Sequence, residues 1–117
     1  MTDANAQLME KMAALKATYA SKLKGRVDEI NAALRTLTEA PSFDQERQAA
    51  QNLQALTHKL SGTGTTYGFP EISEASKAIE LFCGSFLKDQ VALSQGQRDH
   101  FSDLIGHLSA AVPPSDT

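Results

Sequence analysis

The side chain best suited to chemistry in this chain of 117 residues is His58. It stands in the run Thr57-His58-Lys59-Leu60-Ser61-Gly62-Thr63-Gly64-Thr65-Thr66-Tyr67-Gly68-Phe69. Imidazole is nucleophilic in its neutral form, the dominant one above about pH 6.5. Other chemistries fail on spacing. Gly62-Thr63-Gly64 opens like a dinucleotide-binding loop, but Tyr67 replaces the third glycine and no strand-like run precedes it. A phosphate loop needs Gly-Lys followed by Ser or Thr, which the chain lacks. A hydrolase using His58 as general base would need a nucleophile beside it and an acidic orienter, inside a cleft. His100 and His107 are two helical turns apart, about 10 Å, too far to share an ion, and read as surface packing. The lone Cys83 excludes an internal disulfide and a cysteine metal cluster, and reads as an inert buried thiol.

Whether His58 is usable depends on where its helix points it. With Leu53 as the zero of a helical wheel, Ala49, Leu56 and Leu60 gather within about 60°, and His58 lies about 175° from that face. It therefore faces solvent. Its neighbours on the outward face are Gly62 one turn on, Thr65 two turns on, Gln54 and Ala55 one turn back, and Gln51 before them. All are small or uncharged. A glycine inside an exposed helix costs roughly 1 kcal/mol relative to alanine, so Gly62 and Gly64 call for a reason other than helix stability. A lone exposed histidine is commonly decoration, and two late glycines are commonly a fraying end. Together they read as clearance that lets another protein's surface reach the ring.

The elements that must hold this face are helical throughout. Leu8, Met12, Leu15, Tyr19, Leu23, Val27, Ile30, Leu34 and Leu37 recur at spacings of three and four, the stripe of one long amphipathic helix. Gly25 interrupts it and predicts a kink, or a shorter first helix stacked on a second. Ser42 with Gln45 forms a capping box for the helix that carries His58, which should stop near Tyr67 with Gly68 as its left-handed residue. Pro70 opens the next helix, whose core face is Ile72, Ala75, Ile79, Phe82, Cys83 and Phe86. Ser94 with Gln97 caps the last, which runs through Phe101, Leu104, Ile105, Leu108 and Val112 to Pro113-Pro114. No segment alternates like a strand. The expected fold is all-α: an antiparallel up-and-down four-helix bundle with an N-terminal helical extension. One domain covers 1–117, with 1–14 the extension and 113–117 a frayed tail.

His58-Lys59-Leu60-x-Gly62-x-Gly64-x-x-x-Gly68-Phe69, followed by an acidic helix bearing Glu80, resembles the histidine phosphotransfer (HPt) family. The likeness is to free-standing bacterial HPt proteins and to the phosphoryl-accepting domain of chemotaxis histidine kinases. It covers roughly Tyr19 to Phe86. The resemblance implies a bundle whose outward histidine carries a phosphoryl group to or from the aspartate of a receiver domain. It matches His58 to the phosphorylated residue, Gly62 to the glycine that makes room for the receiver, Gly68 to the turn glycine, and Glu80 to an acid that hydrogen-bonds the imidazole. On the wheel Glu80 sits about 100° from the core centre of its helix, where it can reach a neighbour. One position departs. Many members carry Lys three residues after the histidine, and here Ser61 stands there, so Lys59 is the candidate for phosphoryl support. The docking surface implied is Gln51, Gln54, Ala55, Ser61, Gly62 and Thr65.

The chemistry fits that implication. A hydrogen bond from one ring nitrogen to Glu80 fixes the tautomer and leaves the other nitrogen free. Phosphoryl transfer needs positioned cations around a charge-rich transition state, and no carboxylate cluster beside His58 could hold Mg²⁺. No cofactor is therefore expected on this chain, and Mg²⁺ is expected on the partner receiver. The chain reads as a carrier without kinase activity of its own. The runner-up reading is a helical interaction module that has lost phosphotransfer, and Ser61 is its support.

Composition narrows the remaining classes. The formal net charge is −3 with no basic block, and aromatics are 6 % with no Trp, against a nucleic-acid module. No apolar run approaches a membrane span, and Met1 to Gln7 lacks the pattern of a signal peptide. The expectation is a free-standing, monomeric, cytoplasmic protein, partnered by a response-regulator receiver domain, a hybrid histidine kinase, or both.

Overall fold

The computed structural model describes residues 2–113, with side chains from Asp3 onward. It contains α1 (Thr2–Thr38), α2 (Phe43–Gly64), α3 (Pro70–Asp89) and α4 (Gln95–Ala111), and no strand among the described residues. Consecutive helices pack side by side, and α4 closes the ring against α1. Tyr19 of α1 meets Thr63 of α2, His58 of α2 meets Glu80 of α3, and Asn31 of α1 meets Ser109 of α4. Neighbours therefore run in opposite directions, and the all-α up-and-down bundle is the fold. Residues 114–117 of the expected tail lie outside the described residues.

The core comes from the stripes that periodicity marks. Leu23, Ile30 and Leu37 of α1, Leu53 and Leu60 of α2, Ile72, Ile79 and Phe86 of α3, and Phe101 and Leu108 of α4 are all buried. Ser94 and Gln97 form a full reciprocal capping box on α4. At the start of α2 the expected box is half made. The Gln45 backbone N–H donates to Ser42 Oγ at 3.2 Å, while the Gln45 side chain takes the Ser42 hydroxyl proton instead of reaching back to the backbone.

Two boundary expectations need correction. The first helix is neither split nor stacked on another at Gly25. It runs unbroken from Thr2 to Thr38. Gly25 is exposed and nothing lies within 4 Å of where its Cβ would be, so this glycine makes no demand on the backbone. Second, α2 ends at Gly64, three residues before Tyr67, and a turn over 65–68 follows. Gly68 does take the left-handed conformation, with φ +88°. The apolar stripe of α1 is buried only from Tyr19 on. Leu8, Met12 and Leu15 are 57 %, 61 % and 57 % exposed, and Tyr19 is the first buried residue. The segment before Tyr19 projects beyond the bundle as an arm.

A buried carboxylate, unmarked by periodicity, ties three helices. Glu46 accepts the Leu93 backbone N–H at 3.1 Å and pairs with Arg98 at 3.3 Å, while Arg98 also donates to the Thr38 carbonyl. The pairing offsets the desolvation of Glu46 and joins the start of α2 to the start of α4 and the end of α1.

Candidate functional site

The outward face of α2 presents His58 with its side chain 72 % exposed. From α3, Glu80 reaches across so that its Oε2 lies 2.6 Å from His58 Nδ1. The Glu80 side chain is only 14 % exposed, and its other oxygen is held from two directions. Lys77 Nζ lies 3.4 Å from Oε1, and Ser61 Oγ lies at 3.4 Å while donating to the His58 carbonyl at 2.9 Å. Burial pushes the Glu80 pKa up. The hydrogen bonds from His58 and Lys77, with the charges of both, outweigh that and hold it below its ordinary value. The carboxyl is thus ionised at neutral pH and acts as an acceptor. An acceptor at 2.6 Å from Nδ1 requires the proton to reside on Nδ1. Nε2 then carries the lone pair, on a ring that faces solvent.

The glycines after His58 divide by what they face. A Cβ built on Gly62 meets nothing within 4 Å, so nothing in the chain's own packing asks for glycine there. Gly64 is different. A Cβ on it would lie 2.5 Å from Ser73 Oγ, 2.9 Å from Ser73 N and 3.0 Å from the Phe69 carbonyl. The expectation that both glycines clear space for a partner is corrected for Gly64. Its role is the close approach of α2 to the start of α3, where Thr65 N–H donates to Ser73 Oγ at 2.6 Å.

The family model described as Hpt domain matches residues 6–111. The chain belongs to the Hpt domain family. No curated protein and no solved structure matches it. Membership brings with it histidine-containing phosphotransfer in phosphorelays, and interaction with receiver domains and histidine kinases.

On this Hpt bundle the remaining sequence candidates fall as follows. Gln51, Ala55, Gly62 and Thr65 are exposed on the same face as His58, and Gln54 and Ser61 are half-buried at its edge. Gln54 leans towards α3, its Nε2 3.3 Å from where a Gly84 Cβ would be. Lys59 is exposed on the opposite flank of α2, lining a small groove against α1 with Arg26, Glu29 and Ile30. It makes no hydrogen bond with His58 or Glu80. The cation that does reach the His58–Glu80 pair is Lys77, for which the sequence offered no expectation. Its signal was the spacing Lys77 to Glu80, three residues on one helix face.

Two inner features support the outer face. Thr57, the residue before His58, is buried, and its hydroxyl donates back to the Leu53 and Gln54 carbonyls, at 2.9 Å and 3.1 Å. Cys83, one turn from Glu80, is buried, and burial with the Glu80 charge pushes its thiol up to about 12. It is inert at neutral pH, as the sequence implied. Among the described residues no group of His, Cys, Asp and Glu is arranged to hold a metal ion.

Proposed function

We propose that His58 is the phosphoryl-carrying residue of a bacterial two-component phosphorelay, exchanging the group with the aspartate of a receiver domain. The observation that supports this most directly is the 2.6 Å contact of His58 Nδ1 with a buried, doubly held carboxylate, on a ring whose other nitrogen is open. In the transfer, the Nε2 lone pair attacks phosphorus of the acyl phosphate. The N–P bond forms as the P–O bond to the receiver aspartate breaks, and the carboxylate departs with the electron pair. The proton stays on Nδ1, so the product ring is cationic and ion-paired to Glu80. Reversal follows the same path.

This chain supplies nucleophile, tautomer and docking face. The Mg²⁺ and most of the charge stabilisation of the transition state would come from the receiver's acidic pocket. The protein would act as a carrier with no ATP-dependent step, in the cytoplasm where such relays run. No helix of the described residues is long and apolar enough to cross a membrane. Ser61, the best argument for an interaction module that has lost the reaction, is hydrogen-bonded into the Glu80 cluster. That contact favours the carrier.

The test is incubation with a receiver, acetyl phosphate and Mg²⁺, followed by mapping of acid-labile, base-stable phosphate. The expected result is label on His58 alone. Receiver binding without any label on the chain would establish the interaction module instead.

A further inference from the structure

The arm of α1 carries most of the exposed large apolar side chains among the described residues: Leu8, Met9, Met12 and Leu15. Leu8, Met12 and Leu15 repeat at four and three residues, the spacing of a ridge that packs into a groove between helices, while Tyr19 one turn on is already buried in its own bundle. Lys11 and Lys16 are exposed and flank this ridge, each about 70° from its centre. Lys16 Nζ lies 5.2 Å from the centroid of the Phe69 ring of its own bundle, so Lys11 is the cation the arm carries outward. The arm's complement is therefore an apolar groove with acidic edges.

The bundle has one. Between α3 and α4 runs a groove of about 320 Å³, lined by Ala75, Ala78, Leu104 and Ala111 with His107 among them, and edged by Glu71 and Glu74. It opens at the end of the bundle from which the arm leaves, because Glu71 follows Pro70 at the start of α3 and Ala111 ends α4. Leu81, 62 % exposed, continues the apolar surface one turn along α3. The arm cannot fold back into its own groove, since α1 is one continuous helix directed away from the bundle.

We propose that the occupant is a second copy of this chain. Two bundles meet end to end about a two-fold axis, and each lays its arm ridge into the α3–α4 groove of the other. Residues 3–15 span about 20 Å as helix, and the groove along Glu71 to Ala78 about 10 Å, so the reach suffices. The contact is isologous, so one ridge and one groove per chain close a dimer. It departs from the expected monomer and does not rest on the phosphotransfer reading. Glu80 lies about 180° around α3 from the groove edge, so the face bearing His58 stays open in the dimer.

The test is sedimentation equilibrium of the full chain from micromolar to sub-millimolar concentration, with far-UV circular dichroism to verify helicity. A dimer is expected. Leu8→Ser with Met12→Ser should weaken it by about a hundredfold or more, as loss of central apolar anchors does. Lys11→Glu and Glu74→Lys should each weaken it about tenfold, and combining them should restore it, because the charges are exchanged across one contact. A chain that stays monomeric throughout overturns the proposal. So does a dimer indifferent to Glu74→Lys, which would mean the arms pair with each other, and so does a charge exchange without recovery.

Discussion

Gly62 and Gly64 sit two residues apart on the same helix, and their surroundings are opposite. A side chain on Gly62 would point into open space, whereas one on Gly64 would strike the backbone of Phe69 and Ser73. The same contrast runs along the whole of α2. Its inner face, with Leu53, Thr57 and Leu60, is buried and held by neighbours, while its outer face keeps His58 and Gly62 exposed. A residue type that local helix propensity disfavours therefore marks internal crowding at one position. At the other, the chain offers no internal reason for it. The comparison teaches that a glycine becomes evidence for a partner only after its own chain has been shown not to need it.

The largest expected effect lies at the ring. His58→Gln should abolish phosphoryl acceptance while leaving helicity unchanged and the fold intact, because the side chain is exposed, makes no packing contact in the core, and the Gln amide can still donate to Glu80. Acid-labile phosphate retained on the variant, or a variant that unfolds, would break the distinction between outer and inner face. Next comes Gly64→Ala. Overpacking against fixed backbone costs about 1–3 kcal/mol, so this variant should unfold at clearly lower denaturant concentration, although alanine favours helix. Equal or higher stability would mean that α2 and α3 can separate at no cost, and Gly64 would join Gly62 as a surface feature.

Glu80→Gln probes the link between α2 and α3. Gln keeps the shape but loses the charge that holds the proton on Nδ1. Hydrogen bonds to charged groups are worth about 1.5–3 kcal/mol, so phosphorylation should slow by roughly ten- to a hundredfold, with receiver affinity little changed. A matched loss of affinity would place Glu80 in the docking surface instead. Gly62→Gln should act the other way. It should leave the fold intact or firmer by up to about 1 kcal/mol. Transfer from a receiver should fall well below wild type while reaction with a small phosphoramidate is preserved. Parallel loss with both donors would remove the steric account of Gly62.

Much of this was legible in the sequence, and what was not has a common physical cause. Apolar periodicity placed the cores of all four helices, and the wheel placed His58 outward and Glu80 within reach, because both depend only on rotation about one helix axis. Gly64 and Glu46 were missed because their roles arise between helices, and Lys77, three residues from Glu80 on the same helix, was missed because it matters only through Glu80's reach to His58 on α2. The crowding at Gly64 depends on how α3 starts, and the burial of Glu46 depends on Arg98 more than fifty residues away. Gly25 shows the converse. It carries a local signal for interruption, but the buried stripe of Leu23, Val27 and Ile30 packs across it and the helix runs on. The stripe of α1 keeps the same spacing before and after Tyr19, so spacing alone does not tell the expected extension from the core; the length of the other helices shows that the bundle stops short of Leu8.

The smallest effect is expected at Lys77, and its sign can be worked out. Lys77 holds Glu80 Oε1 at 3.4 Å from a half-exposed position, so the pair contributes at most about 1 kcal/mol. It is one of the causes that lower the Glu80 pKa from its ordinary 4.5. A carboxylate whose folded value is depressed stabilises the fold fully above its unfolded value, and that contribution is lost as pH falls through the folded value. Lys77→Met raises the folded value back towards 4.5, so the contribution should shrink and disappear at a higher pH than in the wild type. At neutral pH the variant should accept phosphate no more than about fivefold more slowly, with the His58 proton still on Nδ1 because Glu80 remains ionised. Nitrogen NMR of the His58 ring at neutral pH in both proteins reads the tautomer directly, and the same samples are then taken down to pH 3. Carboxyl carbon shifts of Glu80 in the same samples read its titration. If the Glu80 titration is the same with Met at position 77, the lysine is a solvated bystander. The order imposed on the outer face of α2 would then come from α3 through Glu80 alone.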